Sequence, residues 1–320
     1  MKLTLEKLYP RHKLHSLGRN SFFNYLYRIY IRNFYFDSIL PKRIGIEVTD
    51  KCNINCKRCP SGKVSTNSDI SLEIVKKIAD EVSDYRIPRE FSLHKMGEPL
   101  LNTNLSEILT IIKLSNPNNK VFLATNGLLL SENYDILLSG KIDVVEISLS
   151  AARPDTFSKN KGFDGLGKLE KDVKELIRLR GNRHKNRLHI ILQIIKTVDT
   201  LKEIDEFIQK WSSYPVKFNV TMEENWKGYY KNTYTDSWVE NIERYPCHYL
   251  WVYPQINVDG GVSACPTDWD KKLIIGDIRR ETLKSIWNND KINKLRRLHI
   301  NKEYGPCKDC NSWLIYPRAL

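Results

Sequence analysis

Three cysteines stand close together near the start of the chain, at a spacing suited to iron chemistry. Cys52, Cys56 and Cys59 form the pattern C-x3-C-x2-C directly after a short apolar segment. Three thiolates do not complete a four-ligand metal site, but on a [4Fe–4S] cube they leave one iron open for a substrate or cofactor. The spacing therefore predicts a cluster that takes part in chemistry rather than one that only supports the fold.

Zinc and disulfides are the structural alternatives for these cysteines. Zinc motifs usually pair C-x2-C with a second pair about twelve or more residues away, which this short run does not match. The chain has seven cysteines, an odd number, and no export signal, so a disulfide framework is not expected either. The residues favour iron–sulfur ligation over both alternatives.

Four further cysteines lie in the last quarter of the chain, with the spacing C-x17-C-x41-C-x2-C. They are Cys247, Cys265, Cys307 and Cys310. Four thiolates are a normal set for zinc and also for an iron–sulfur cluster, so the spacing leaves both open. Residues 254–264 alternate around Gly260-Gly261 and predict a β-hairpin, and a helix is predicted over residues 282–299.

Length, charge and hydropathy describe an ordinary globular protein. The 320 residues are 41% hydrophobic, and Lys plus Arg outnumber Asp plus Glu by 51 to 38, a net charge of +13. This charge favours an anionic partner, such as an acidic electron donor, a phosphorylated substrate, nucleic acid or a membrane surface. Without an export signal or a run of about 20 apolar residues, we expect a cytoplasmic protein with no transmembrane segment.

Strand-like and helix-like segments alternate through the middle of the chain, which is typical of a parallel sheet with right-handed crossovers. Apolar runs predict six strands, at residues 43–48, 90–93, 120–125, 144–150, 188–195 and 216–220. Amphipathic patterns predict helices at residues 71–85, 105–115, 131–139, 166–180 and 201–211. The resulting six βα units are two short of a full TIM barrel, and functional side chains should follow the strand ends.

Several predicted strands are followed by small or polar residues. Met96-Gly97-Glu98-Pro99 follows the second strand, Asn126-Gly127 follows the third, and Ser148 and Ser150 share one face at the end of the fourth. Taken singly, Gly-Glu-Pro and Asn-Gly are ordinary turns. Their common position at strand ends makes them candidates for one binding site.

Together, the cysteine loop and these strand ends resemble the radical S-adenosylmethionine (SAM) superfamily. Met96–Pro99 resembles its Gly-Gly-Glu-Pro segment, with Met96 in place of the first glycine. The resemblance implies an α/β fold, a partial (β/α)6 TIM-like barrel, and a SAM-binding [4Fe–4S] cluster on the first three cysteines. The residue before the third cysteine, usually an aromatic contact to adenine, is Arg58, which can also stack on a purine. The implied SAM contacts are Gly97, Glu98, Asn126, Ser148, Ser150 and Lys196.

The C-terminal quarter resembles the SPASM/twitch extension of the same superfamily, close to the short twitch form with one auxiliary [4Fe–4S] cluster. This resemblance implies that the last four cysteines hold that cluster, with zinc as the alternative. By cluster spacing the chain is similar to 2-deoxy-scyllo-inosamine dehydrogenase-like enzymes. The predicted organisation is a basic, aromatic helical extension over residues 1–40, the barrel over 41–235 and the small iron–sulfur domain over 236–320.

The number of cysteines favours a reaction that oxidises the substrate. The two sites account for all seven cysteines, so no thiol is left to return a hydrogen atom to a substrate radical, as some radical SAM epimerases require. A four-cysteine cluster with no open iron can instead accept an electron. We expect reductive cleavage of SAM to a 5′-deoxyadenosyl radical, hydrogen abstraction and oxidation of a polar small molecule or sugar-like alcohol. Glu223 or Glu224, after the last strand, would accept the proton or hold the substrate.

Three other interpretations stay open: modification of a peptide or protein, epimerisation with a hydrogen donor other than cysteine, and a zinc- or nucleic-acid-binding protein without enzymatic activity. The predicted electron donor is an acidic flavodoxin or ferredoxin, because it would complement the basic chain. The N-terminal extension is interpreted as a cap on the barrel, with membrane-surface contact as the alternative.

Overall fold

The computed structural model describes residues 39–181, 188–235 and 243–314. Of the predicted N-terminal extension over residues 1–40, only Ile39 and Leu40 fall within these ranges, so that prediction lies outside the described residues. Within the same ranges, the helices are all too short or too polar to cross a membrane.

The described strands form a single sheet in which six parallel strands are extended by an antiparallel three-stranded unit, whose first strand runs parallel to the strand beside it. The parallel strands are β1 (Arg43–Ile46), β2 (Glu90–Leu93), β3 (Lys120–Thr125), β4 (Val144–Ser148), β5 (His189–Lys196) and β6 (Lys217–Met222). The three-stranded unit consists of β7 (Gln255–Ile256), β8 (Gly261–Ser263) and β9 (Ile274–Asp277). The strand order is β6-β5-β4-β3-β2-β1-β7-β8-β9, so within the described residues β6 does not close onto β1. The prediction of a partial barrel is confirmed.

Helices cover the parallel strands and complete the C-terminal part. They are α1 (Ser61–Val64), α2 (Leu72–Asp84), α3 (Leu105–Ser115), α4 (Tyr134–Leu137), α5 (Pro154–Lys161), α6 (Leu166–Gly181), α7 (Ile204–Trp211), α8 (Tyr249–Val252), α9 (Leu283–Asn288) and α10 (Asp290–Ile300). Ser71 caps the N-terminus of α2, since its hydroxyl accepts the Ile74 amide.

Two helix predictions were wrong in extent. The helix predicted over residues 131–139 is the single turn α4. The helix predicted over 282–299 is divided into α9 and α10, because Asn289 leaves the helical path and its side chain caps α10 by accepting the amides of Lys291 and Ile292.

Burial explains why the strand predictions succeeded. All four residues of β1 are buried, as expected for a parallel strand covered on both faces. The inward faces of α2 and α3 add fully buried Val75, Ile78, Ile108 and Leu109 to the same core. The core therefore lies between the sheet and its helices, and the loops at the carboxyl ends of the strands are left to carry the polar residues.

The C-terminal hairpin continues the barrel sheet, because β7 pairs in parallel with β1. At Gly45 the two strands approach so closely that a Cβ atom would lie 2.1 Å from Gln255 Oε1. The Lys95 ammonium donates to Asn257 Oδ1 at 2.6 Å, and the Val258 amide donates to Glu47 at 3.2 Å. The predicted boundary at 235/236 borders residues 236–242, which lie outside the described ranges.

Candidate cluster and cofactor sites

The three N-terminal cysteines lie on the loop that follows β1. The Cys59 amide donates to the Cys56 carbonyl at 3.1 Å, so these two share one turn. Cys52 is exposed and the other two are half-buried. Burial raises the pKa of Cys52 and Cys56, although the Lys161 ammonium opposes the shift at Cys56. Bound iron would supply the positive charge that holds such thiols as thiolates.

Asp50 closes the loop that carries these cysteines. Its buried carboxylate accepts the amides of Thr66 and Ser68, each at 2.7 Å, and the Thr66 hydroxyl at 2.7 Å. Burial alone would raise the pKa of Asp50, but these hydrogen bonds lower it. The cysteines therefore stand on a loop that is tied at both ends at the top of β1.

Gly97 lies against the start of the cysteine loop through backbone contacts. A Cβ atom at Gly97 would be 2.3 Å from the Thr49 carbonyl oxygen, a separation that real side chains do not adopt. The next amide, of Glu98, donates to the Lys51 carbonyl at 2.7 Å. The position therefore requires glycine, and the segment predicted to contact SAM is held directly beside the predicted cluster ligands.

The buried Glu98 carboxylate joins the loops after β2 and β3. Oε1 accepts the Thr125 hydroxyl at 2.7 Å and the Leu100 amide at 3.2 Å, and Oε2 accepts the Asn126 amide at 2.7 Å. Burial raises the pKa of Glu98, and these donors oppose that shift. The Asn126 side chain in turn donates to Asn53 in the cysteine loop at 2.8 Å. These contacts position the loops, and direct contact of either residue with SAM stays a prediction.

Ser148, Ser150 and Lys161 come together beside the cysteine loop. The two serine hydroxyls are 2.9 Å apart, and the Lys161 ammonium lies 3.2 Å from Ser148 Oγ although Lys161 is only 6% exposed. The sequence prediction missed Lys161 because it missed α5. Pro154 in the first turn and Gly162 just after the end, with a φ of 85°, are the start and stop signals that would have revealed this helix.

Of the predicted SAM contacts, Ser148 and Ser150 line a cavity that also has Gln193, Ile195 and Thr197 in its wall. Lys196 is not among its lining residues, in keeping with the alternation of side chains along β5. The buried ammonium beside the cysteine loop belongs to Lys161. Contact of Lys196 with SAM stays a prediction.

Arg58 and Glu223 form an ion pair between the cysteine loop and the loop after β6. Glu223 also accepts the Thr233 amide at 2.7 Å and its hydroxyl at 3.0 Å. The Arg58 guanidinium lies over the Tyr230 ring, 5.0 Å from its centroid. Glu223 therefore serves as the counter-charge of Arg58, and contact of Arg58 with adenine stays a prediction. Glu224 lines the same cavity as Ser148 and Ser150.

That cavity has a volume of about 380 Å3 and reaches from the cysteine loop to the C-terminal part of the chain. Its lining includes Cys56, Cys59 and Lys161, and also His94, Glu146 and Tyr253. The Glu146 carboxylate accepts the side-chain amides of Gln193 at 3.0 Å and Asn219 at 2.9 Å. The cavity therefore combines predicted cluster ligands with polar groups of the barrel interior.

The four C-terminal cysteines line a second, small cavity together with Lys227, Arg244 and His299. All four thiols are buried, and burial raises the pKa of Cys247 and Cys265, and that of Cys307 to about 12. Hydroxyl groups approach the sulfurs: Thr267 Oγ1 lies 3.4 Å from Cys265 Sγ, and Ser312 Oγ lies 3.3 Å from Cys310 Sγ. Four buried thiols with hydrogen-bond donors fit a fully ligated iron–sulfur cluster.

The loop after β6 connects the two cysteine sites. The Trp226 indole donates to the Arg58 carbonyl at 3.0 Å, and the Trp269 indole donates to the Trp226 carbonyl at 3.2 Å. Asn225 and Asn311 exchange backbone-to-side-chain hydrogen bonds of 3.0 and 3.2 Å. Hydrogen bonds through the loop after β6 therefore connect the cysteine loop of the barrel to the segment that follows Cys310.

Comparison with known proteins agrees with this geometry. The model of the radical SAM superfamily matches residues 46–208, about half of the chain, and the model of the SPASM iron–sulfur cluster-binding domain matches residues 247–311. Both cysteine sets fall inside these matches. The two domains imply SAM and two [4Fe–4S] clusters as cofactors.

The curated proteins that are similar in sequence to this chain include GTP 3′,8-cyclases. That of Clostridium acetobutylicum is 28% identical over 177 residues, 54% of each chain. That of Desulforamulus reducens is 35% identical over 118 residues, 36% of each chain. The chain thus spans only about half, or less, of the length of these relatives.

Solved structures show the same fold over most of the chain. BtrN in complex with AdoMet and 2-DOIA has a TM-score of 0.59 at 19% identity, covering 85% of this chain and 93% of BtrN. Streptococcus suis SuiB bound to the precursor peptide SuiA has a TM-score of 0.64 at 14% identity, covering 91% and 74%. At such identities the likeness concerns the fold alone. From the family match, this chain belongs to the radical SAM superfamily and is a radical SAM enzyme with a C-terminal SPASM domain.

Proposed function

We propose that this radical SAM enzyme oxidises a small polar molecule that carries hydroxyl or amino groups. The observation that carries the proposal is the second cavity, where four buried cysteines provide all the ligands of one cluster. The loop after β6 connects this cavity to the cysteine loop of the first site. A cluster with four thiolates has no iron left for substrate, so its role would be to take an electron. No cysteine of the chain remains to return a hydrogen atom.

The residues of the first cavity would hold the cofactors as follows. Cys52, Cys56 and Cys59 would ligate a [4Fe–4S] cluster with one open iron. When bound there, SAM supplies a 5′-deoxyadenosyl radical after one-electron reduction. Lys161, whose buried ammonium faces the Ser148 hydroxyl, would pair with the SAM carboxylate. The chain itself would fix the orientation of the substrate C–H bond and exclude water.

The charges of the cavity suggest the substrate class. Glu146, held by two side-chain amides, would accept hydrogen bonds from hydroxyl or amino groups. Of the cations that line the cavity, Arg43 is paired with Glu90 at 2.8 Å and Arg58 with Glu223, whereas Lys57 and Lys161 have no carboxylate partner in the described residues. We do not extend the activity of the GTP 3′,8-cyclases to this chain, because the matched segment covers only about half, or less, of those relatives.

Oxidation of an alcohol also requires removal of a proton. Because Glu223 is committed to Arg58 and Thr233, we assign this role to Glu224, which lines the same cavity. Enzymes of this superfamily take their electron from an external donor, and the net charge of +13 favours an acidic flavodoxin or ferredoxin in the cytoplasm.

Anaerobic reconstitution tests the cofactor part of the proposal. We expect roughly seven to eight irons per chain and formation of 5′-deoxyadenosine from SAM with dithionite, against about four irons plus one zinc if the second site holds zinc. Cys56→Ala should abolish SAM cleavage. Absence of 5′-deoxyadenosine from the fully reconstituted protein would refute the enzyme assignment for this chain.

The substrate is tested with a pool of polyols and amino alcohols. We expect a product lighter than its substrate by two hydrogens, together with one 5′-deoxyadenosine per turnover. Cys247→Ser should still cleave SAM but yield no oxidised product, because the electron has no acceptor. A product of unchanged mass would show epimerisation, and turnover only with added peptides would show peptide modification; either result rejects alcohol oxidation.

A further inference from the structure

His299 presents an unpaired hydrogen-bonding atom in the cavity of the four C-terminal cysteines. The residue is fully buried on α10, and its ring lines that cavity. Nδ1 accepts the Cys247 amide at 3.2 Å, whereas Nε2 has no hydrogen-bond partner in the described part of the chain. Buried polar atoms are nearly always paired, so an orphaned ring nitrogen at this position points to a missing partner.

The hydrogen bond at Nδ1 decides what Nε2 can do. A nitrogen that accepts an amide proton carries no proton of its own, so the single proton of the neutral imidazole is on Nε2. Nε2 is therefore a donor, and it does not serve as a metal ligand while it keeps that proton. The acceptors that four cysteine ligands bring to this cavity are sulfur atoms, either thiolate or cluster sulfide.

We propose that His299 Nε2–H donates a hydrogen bond to a sulfur of the auxiliary cluster and raises the reduction potential of that cluster. This inference rests on the proposed function, since it requires a cluster on Cys247, Cys265, Cys307 and Cys310. A donor at sulfur stabilises the additional negative charge of the reduced cluster more than the charge of the oxidised one. The cluster becomes a better electron acceptor, as an oxidation requires.

The two cationic side chains that line the same cavity are bound to other groups, which sets His299 apart from them as a hydrogen-bond donor. The Lys227 ammonium also lines the cavity, but it is paired with Asp268 and Asp270, which offset its charge. The Arg244 guanidinium donates to the carbonyls of Cys307 and Lys308, each at 2.7 Å. These cations hold the cavity walls, and the imidazole N–H of His299 remains directed to the group that fills the cavity.

Two substitutions separate the donor role from a structural role. In His299→Asn, the amide oxygen can replace Nδ1 and keep the bond to the Cys247 amide, but the side chain is too short to replace Nε2. In His299→Gln, the terminal amide can replace Nε2 as donor, while the acceptor at the Nδ1 position is lost. Each is made in the full-length protein, reconstituted anaerobically, and titrated with dithionite under electron paramagnetic resonance.

We expect His299→Asn to lower the potential of the auxiliary cluster, so that the ratio of reduced to oxidised cluster at a fixed potential falls about tenfold, equivalent to about 59 mV for one electron. His299→Gln should stay close to the wild type. The SAM-binding cluster serves as the internal control and should keep its potential in both variants. If His299→Asn matches the wild type and His299→Gln is the altered protein, the role is structural and the proposal is overturned.

A measurement on the unsubstituted residue covers the case in which a variant does not assemble its cluster. In protein labelled with 15N-histidine and lacking the first three cysteines, the reduced auxiliary cluster should show a nitrogen hyperfine coupling that His299→Gln removes. Absence of the coupling overturns the proposal. A wild type with about four irons would reject the auxiliary cluster itself, whereas seven to eight irons with an unchanged potential in His299→Asn would reject the role of His299 alone.

Discussion

The ion pair between Arg58 and Glu223 allows a sharp test of whether Glu223 holds the loops or takes a proton. The Arg58 side chain is 27% exposed and that of Glu223 only 5%. Removing Arg58 leaves a buried carboxylate without its counter-charge, a change that costs about 3–5 kcal/mol in fully buried pairs. Because Arg58 is partly solvated and Thr233 still donates twice to Glu223, we expect about 2–3 kcal/mol for Arg58→Met.

The reverse substitution should be milder. In Glu223→Gln the remaining Arg58 keeps its contact with the Tyr230 ring and its access to water, so we expect a loss of about 1 kcal/mol. In the double variant neither charge is left unpaired, and the loss should again be about 1 kcal/mol, less than that of Arg58→Met alone. The coupling free energy between the two side chains is then about 2–3 kcal/mol.

Thermal unfolding of the three reconstituted variants measures these differences. For a chain of this size about 2 °C corresponds to 1 kcal/mol, so the midpoint should fall by about 5 °C in Arg58→Met and by about 2 °C in the other two. SAM cleavage should recover in the double variant relative to Arg58→Met. Additive losses, with a fall of about 7 °C in the double variant, would refute the ion-pair explanation. A product-forming rate reduced about 100-fold in both variants that lack Glu223, with SAM cleavage intact, would identify Glu223 as the base instead.

Three further predictions concern the cofactor site and the barrel. Gly97→Ala should strongly reduce cluster incorporation, measured as iron per chain, since its Cβ atom would overlap the Thr49 carbonyl. Gly167→Ala, with open space at its Cβ and an ordinary φ, is the control for added side-chain volume. Lys161→Met should weaken SAM binding about tenfold or more in equilibrium dialysis without changing iron content. Burial would raise the pKa of Asp143, but its lysine partners and the Val121 amide lower it. Asp143→Asn should therefore lose about 1 kcal/mol at pH 7 in urea unfolding. The difference should shrink only as the pH falls below the ordinary aspartate pKa of 3.8, and vanish below the lower pKa of the folded state, where Asp143 is protonated in both states.

Much of the fold could be predicted because most residues of the parallel strands are buried. Mostly apolar runs such as those of β1 and β3 predict buried strands rather than loops. Their alternation with amphipathic helices implies a parallel sheet. The helix over 282–299 was predicted as one because Asn289 caps α10 only through a side-chain contact that local pattern does not reveal. Helix α5 was missed because its mean polarity conceals a short buried face at Phe157 and Lys161.

The sequence by itself determined which residues can do chemistry. The spacing of Cys52, Cys56 and Cys59 is a local property, since three ligands on one loop can bind one cluster whatever the rest of the chain does. Gly97 and Glu98 could be recognised from their position after a strand. Only the tertiary structure decided which charged groups meet. Arg58 and Glu223 are far apart in sequence, as are Lys161 and Ser148, or His299 and Cys247. Their roles follow from burial and from partners that other segments supply, because a charge or hydrogen-bond donor has a function only through the group that faces it.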